Sequence, residues 1–177
     1  MKIFLIGFMG CGKSFIGKRL AEKLNLSFID MDEYLQHAEN QTIATIFTQH
    51  GEPYFRRLER DKLREMLPVQ NAVIATGGGA PCFHDNMAWM NQHGITLYLQ
   101  ANTDLLFTRL KSESDKRPVL GGRSDEALKQ FISNKIEERN VYYSQCAWTI
   151  QQGDGDAENI LKQIMALPLS QPHSIVK

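Results

Sequence analysis

The sequence predicts an α/β protein: a parallel sheet with helices packed on both faces. Three observations carry that reading. Short apolar runs alternate along the chain with longer segments whose apolar residues recur at helical spacing, and parallel strands need connections of that length. Turns rich in glycine or aspartate follow the first three runs, at the strand ends where open α/β sheets collect ligands. No internal repeat or low-complexity block interrupts the pattern. With 177 residues the chain is long enough for one well-buried core and short for two, so residues 1–167 read as one domain and 168–177 as a frayed tail.

Lys2 to Ile6 reads as the first buried strand, and Ile16, Leu20 and Leu24 form the apolar stripe of the helix that follows Ser14. Ser27-Phe28-Ile29 is a short second strand with Asp30-Met31-Asp32 at its end. Glu33 to Leu67 is a polar helical stretch in pieces. Gly51-Glu52-Pro53 breaks it, because proline lacks a donor and restricts its predecessor, and Pro68 closes it. Ala72 to Ala75, the third strand, runs into Thr76-Gly77-Gly78-Gly79. A helix from about Asp85 to His93, with Gly94 as its expected C-cap, leads to a fourth strand, Ile95 to Leu99. Thr103 is expected to cap the next helix, with Asp104 in its first turn and Leu105, Leu106 and Leu110 as its stripe. Ser112 to Asp125 is charged, rich in glycine and broken by Pro118, the composition of a mobile loop. Leu128, Phe131, Ile132 and Ile136 mark a long helix, Ala147 to Ile150 a fifth strand, and Ile160, Leu161, Ile164 and Leu167 a terminal helix.

Twenty basic and twenty acidic residues cancel to a formal net charge of zero, which argues against a partner held by bulk charge, nucleic acid above all. Cys11, Cys82 and Cys146 are odd in number and lack C-x-x-C spacing, the usage expected of reduced thiols in a cytoplasmic protein. The chain starts directly with a strand and holds no apolar run of spanning length, so neither a cleaved leader nor a membrane segment is expected. Its five histidines show no metal-ligand spacing, and Trp89 and Trp148 read as core or pocket lining.

The sharpest chemical signal is Gly7-Phe8-Met9-Gly10-Cys11-Gly12-Lys13-Ser14, which fits the phosphate-binding pattern G-x-x-x-x-G-K-[ST] between a strand and a helix. Glycines let consecutive backbone N–H groups converge on phosphate oxygens, Lys13 adds a cation that reaches the β and γ phosphates, and the Ser14 hydroxyl can ligate magnesium. A nucleoside triphosphate is the expected ligand, surrounded by Gly10, Cys11, Gly12, Lys13, Ser14 and Phe15. Cys11 occupies a variable position of the pattern, so no nucleophilic role is expected of it. A switch GTPase would add N-K-x-D and D-x-x-G motifs. The nearest approach to the first, Asn134-Lys135-Ile136-Glu137, lies inside a helix, and the second is absent.

Further stretches narrow the class. Phe28-Ile29-Asp30-Met31-Asp32, Gly51-Glu52-Pro53-Tyr54-Phe55-Arg56, Thr76-Gly77-Gly78-Gly79, Lys116-Arg117-Pro118-Val119-Leu120, and Arg139 with Tyr143 four residues later, together with the phosphate loop, resemble the shikimate kinases. They occur in that family's order and at compatible spacings. The resemblance implies a three-layer P-loop kinase fold like that of nucleoside monophosphate kinases, with a five-stranded parallel sheet and a lid at residues 112–125. It implies transfer of a phosphoryl group from ATP to shikimate with Mg²⁺, on the route to chorismate and the aromatic amino acids. A cytoplasmic monomer is the expectation.

By resemblance, Ser14 ligates magnesium directly and Asp30 holds it through water, while Asp32 accepts the hydrogen bond, and the proton, of the reacting hydroxyl. Arg56 and Arg139 are implied to bind the substrate carboxylate, whose two oxygens match a planar guanidinium fork. Read alone, either aspartate also makes a good N-cap for the helix from Glu33, and Arg56-Arg57-Leu58-Glu59-Arg60-Asp61 is a solvated, charge-laced helix face. That second reading is kept for Arg57 and Arg60. Gly77, Gly78 and Gly79 let the chain pass close to a ligand, and the resemblance has the middle one donate its N–H to shikimate. Phe55 is either a wall of that pocket or an ordinary core residue.

Arg117, in the lid, is implied to reach the transferring phosphate as closure excludes water, and Arg109 to stack on adenine. Two positions depart from the family's usual pattern: Val141 replaces a proline two residues after Arg139, and Gln152-Gly153-Asp154-Gly155-Asp156 lacks the proline common in the adenine loop. The rival readings are another small-metabolite kinase, such as a gluconate kinase, and a regulatory nucleotide-binding module. The latter gives no reason for Asp32, Arg56, Arg117 and Arg139 to occur together.

Overall fold

Five parallel strands, β1 (Lys2–Ile6), β2 (Ser27–Asp30), β3 (Ala72–Ala75), β4 (Ile95–Gln100) and β5 (Trp148–Gln151), pair in the order β2-β3-β1-β4-β5. The structure, a computed structural model, describes residues 1–112 and 123–169. Between the strands run α1 (Lys13–Leu24), α2 (Met31–Glu39), α3 (Ile43–Arg64), α4 (Asn86–His93), α5 (Thr103–Lys111) and α6 (Asp125–Tyr143), and α7 (Ala157–Met165) follows β5. The expected α/β class, strand count and parallel sheet are those observed.

β1 lies at the centre, and strand alternation divides its side chains between two cores. Ile3 and Leu5 join Val73, Leu97 and Leu99 under α1, α5, α6 and α7, whereas Phe4 and Ile6 join Ala72, Ile74, Tyr98 and Tyr143 on the opposite face. A third, smaller cluster of Leu35, Ile46 and Phe55 holds α2 against α3.

Register explains why the ligand-binding turns meet. Leu5, Ala75 and Asp30 lie in one row across β1, β3 and β2. Two residues further on, the three chains have left the sheet at Gly7, Gly77 and Asp32, so the phosphate loop, the glycine triplet and the acidic turn are neighbours by construction.

Local details refine the sequence-based expectations. The helical stretch after β2 is broken twice, at Asn40, a left-handed C-cap, and at Gly51, whose φ of 76° and ψ of 173° kink α3. Pro53 falls just after that kink, in the first turn of the second segment, where its missing N–H has no helical partner to lose. Asn102 caps α5, accepting a hydrogen bond from Leu105 N at 2.8 Å; Thr103 is the first helical residue instead. Asn102, with extended backbone one residue upstream, places its Oδ1 on the free N–H, as a cap must. Gly94 closes α4 with extended backbone, and its need for glycine is proximity: a Cβ would lie 2.7 Å from Lys2 O. Most of the expected lid, with Lys116 and Arg117, and residues 170–177 of the expected tail lie outside the described residues.

Candidate active site

The phosphate loop is shaped by backbone. Gly10 and Gly12 hold φ of 78° and 89°, left-handed values that any Cβ would strain. Gly12 is also the N-cap of α1 and offers no side-chain cap, and the first turn of α1 carries no acid. α2, α3, α5, α6 and α7 all start on a side-chain cap. The N–H groups at the start of α1 therefore remain for an anion, at the positive end of the helix dipole. Lys13 is nearly buried, at 9 % exposure, and its ammonium donates to Gly7 O at 2.8 Å and Phe8 O at 3.1 Å. Its charge thus rests on neutral carbonyls inside the loop rather than on a carboxylate.

A cavity of about 470 Å³ opens over this loop, with Asp30, Asp32, Thr76 and Gly78 at one end and Arg109, Gln152 and Gly155 at the other. Ser14 Oγ donates to Asp30 Oδ2, and Asp30 Oδ1 accepts from Asp32 N at 3.0 Å and Glu33 N at 3.3 Å. Asp30 is therefore both the N-cap of α2 and the partner of the loop serine. One oxygen fixes the helix start while the other stays on the cavity side.

Each glycine of the triplet answers to a different neighbour, and none has positive φ. A Cβ on Gly77 would stand 2.5 Å from Glu59 Oε1 and 2.9 Å from Asp32 Oδ1, one on Gly78 would stand 3.0 Å from Met9 N, and one on Gly79 would stand 2.7 Å from Arg56 Nη2. The requirement is close approach, not turn geometry. The triplet is the place where the acidic pair, the phosphate loop and Arg56 converge.

Arg56 is saturated. Its Nε and Nη2 donate to Glu52 Oε1 at 3.1 and 3.0 Å, its Nη1 to Glu59 Oε2 at 2.7 Å, and the ring centroids of Phe83 and Phe55 lie 4.2 and 5.1 Å from its Cζ. Phe55 is 4 % exposed and joins the small α2–α3 cluster while lying against the Arg56 guanidinium, a position compatible with both of its readings. Glu59 is 5 % exposed. Burial pushes its carboxyl above the ordinary carboxylate range, with Arg56 opposing that rise and Asp32 adding to it. Sequence reasoning placed Glu59 on a solvated face. Its position three residues after Arg56 is a signal for an ion pair, but nothing local tells that the pair is buried. Arg57 and Arg60 are the exposed charges expected: Arg60 pairs with its neighbour Asp61 and Arg57 lies over Tyr54.

Arg139 differs. It approaches the triplet from α6, donating to Gly78 O at 3.4 Å and lying over Phe8, and among the described residues it forms no ion pair. Tyr143, fully buried one helical turn on, donates to the same Gly78 O at 2.6 Å. Burial raises the Tyr143 hydroxyl far above its ordinary range, so it remains a donor. The thiol of Cys82, just after the triplet, is likewise pushed by burial to about 11, against the opposing charges of Arg139 and Arg56. The structure thus lines one cavity with Lys13, Ser14, Asp30, Asp32, Gly78 and Arg109, and sets Gly77, Gly79, Arg56 and Arg139 beside it at the glycine triplet.

Comparison with known proteins agrees with this geometry. The family model described as shikimate kinase matches residues 9–167. Curated shikimate kinases of Bacteroides thetaiotaomicron and Parabacteroides distasonis are 45 % and 43 % identical over 148 and 162 residues, covering 84 % and 92 % of this chain and 85 % and 91 % of theirs. The crystal structure of the Bacteroides thetaiotaomicron enzyme superposes with a TM-score of 0.87 at 40 % identity, covering 93 % of this chain and 96 % of that one. Shikimate kinase from Acinetobacter baumannii in complex with shikimate gives 0.86 at 33 % identity, over 96 % and 93 % of the two chains. With its loop, triplet and arginines arranged as described, and with a match across nearly its whole length, the chain belongs to the shikimate kinase family.

Proposed function

We propose that this protein transfers the γ-phosphoryl group of ATP to the 3-hydroxyl of shikimate, giving shikimate 3-phosphate and ADP on the route to the aromatic amino acids. The observation that carries the reading is a cavity with an anion cradle at the phosphate loop and with Asp32 and Gly78 in its wall, next to a glycine triplet against which Arg56 and Arg139 pack from two different helices. Phosphoryl transfer asks little covalent chemistry of a protein and much positioning and charge stabilisation. The free N–H groups of α1 and Lys13 hold the triphosphate. Asp32, on the cavity wall, accepts the hydroxyl proton, and Arg56 and Arg139 fix the carboxylate, with Gly78 donating from the backbone. Arg109 meets the adenine. Arg117, whose role rests on the family resemblance, would cover the transferring phosphate from the lid.

Magnesium fits the donor set. Ser14 and Asp30 bring one hydroxyl and one carboxylate together at the cavity wall, both hard oxygen ligands, and among the described residues no group of three His, Cys, Asp or Glu could enclose an ion. Such a site suits a cation that keeps waters and takes phosphate oxygens. When bound, the ion neutralises phosphate charge. We also read the protein as a cytoplasmic monomer that binds neither nucleic acid nor membrane. Three free cysteines, a zero net charge, and helices none of which, among the described residues, is long and apolar enough to cross a membrane support that reading.

An ADP-release assay with shikimate, gluconate and nucleoside monophosphates tests the acceptor. Turnover with shikimate well above the others is expected; equal rates, or none above background hydrolysis, would reject it. Gluconate is the informative rival, because it also carries a carboxylate and hydroxyls but lacks the rigid ring that the triplet would face.

A further inference from the structure

Gln152, the residue after β5, is 2 % exposed although it opens a loop of polar and glycine residues. Every polar group it owns is engaged. Its N–H donates to Gln100 O at 3.0 Å and its carbonyl accepts from Gly155 N at 2.8 Å, which closes the turn. Its side chain bridges two parts of the nucleotide pocket: Nε2 donates to Cys11 O in the phosphate loop at 2.7 Å, and Oε1 accepts from Arg109 Nη1 at 3.2 Å. Arg109 also donates to Gly10 O at 3.3 Å and has no carboxylate partner among the described residues. On its other side Gly155 leaves room, since a Cβ there would lie 2.4 Å from Arg109 Nη2.

We propose that Gln152 is a positioning residue for the nucleotide: it clamps the Arg109 guanidinium onto the phosphate loop, so that a flat cation is presented at the base end of the cavity. The chemistry selects an amide. Only a side chain that donates to a carbonyl and accepts from a guanidinium at once can bridge these groups, and a carboxylate would oppose the Cys11 carbonyl. An arginine held in this way before the ligand arrives loses less rotamer freedom on binding, which converts into affinity. In this chain the amide of Gln152 supplies, from inside, the rigidity that a proline would give the loop backbone. The inference rests on the proposal that Arg109 meets the base.

Calorimetric titration of the full chain with Mg-ADP, inorganic tripolyphosphate and shikimate separates the two. For Gln152→Leu we expect the ADP Kd to rise about tenfold, the size of one lost charge-assisted hydrogen bond, with tripolyphosphate and shikimate within about twofold. Arg109→Ala should do the same, and the double variant should be no weaker than either single one, because both remove one device. Gly155→Ala pushes the guanidinium from the opposite side with Gln152 in place; it should reproduce the ADP-selective loss and serves if Gln152→Leu does not fold. Equal weakening of ADP and tripolyphosphate, or additive losses in the double variant, would make Gln152 a support of the loop alone and overturn the proposal. If Arg109→Ala weakens ADP while Gln152→Leu and Gly155→Ala leave it unchanged, the positioning role falls and the base contact stands. If Arg109→Ala has no effect on ADP, the base contact falls and takes the inference with it.

Discussion

The two anion sites of this protein are built on opposite plans. The phosphate loop is one contiguous stretch that offers backbone N–H groups, a helix dipole and a lysine resting on neutral carbonyls. The proposed acid pocket draws on α3, the glycine triplet and α6, and its cations are side chains: Arg56, matched by Glu52 and Glu59, and Arg139, paired with no carboxylate among the described residues. Backbone donors cost nothing to hold in place once the loop is folded. Guanidiniums must be oriented and their charge managed, so the pocket contains a buried counter-charge that the loop does without.

The contrast predicts where substitutions act. Lys13→Met and Asp32→Asn should lower turnover about a hundredfold or more while leaving the shikimate KM within a few fold, since each acts on charge that develops in the transition state. Steady-state kinetics that put the loss in KM for shikimate would erase the division between the two sites.

The next test separates the two arginines. Both Arg56→Ala and Arg139→Ala should weaken shikimate binding, but only Arg56→Ala strands a buried carboxylate. We expect it to destabilise the fold by about 3 kcal/mol, whereas Arg139→Ala, which breaks no ion pair among the described residues, should cost under about 1 kcal/mol. Urea titrations giving equal losses would show that Glu59 is not the difference between them.

Glu59 also sets a pH dependence. Because burial raises its carboxyl above the ordinary range, the folded chain holds that proton more tightly than the unfolded chain does. Its contribution to stability is complete below the ordinary carboxylate pKa and is lost as pH rises through the raised value. Glu59→Gln should therefore flatten the decline of thermal midpoint across that window, and an unchanged slope would contradict the assignment. The smallest effect is expected from Tyr143→Phe, which removes the hydrogen bond to Gly78 O. About 1 kcal/mol of stability and a several-fold rise in shikimate Kd should follow, with ATP affinity unchanged.

Much of this molecule is legible in one sequence. The apolar runs located all five strands to within a residue or two; β1, β3 and β4 are buried along nearly their whole length and so must be apolar throughout, whereas the edge strands β2 and β5 are only partly buried. The loop glycines and the break at Gly51 were readable for a local reason: their backbone conformations exclude most other residues. The aspartates after β2 presented two readings, cap and ligand partner, and Asp30 satisfies both at once with its two oxygens. Glu59, Phe83 and Gln152 escaped notice. Each looks like an ordinary helix-face or loop residue until the elements packed over it are known, and the cap of α5 was displaced by one residue because Asn102 and Thr103 are both good caps in isolation.

The sequence alone therefore determined what depends on neighbours along the chain: the strand and helix pattern, the phosphate cradle, and the kinds of side chain available for an acid substrate. Tertiary structure decided which charges are buried, which arginine is matched by carboxylates, and which glycines are kept bare by atoms from distant segments. The physical reason is range. Backbone conformation is set within a few residues, whereas desolvation and ion pairing depend on everything that packs around a group, and that is known only once the sheet has set its register.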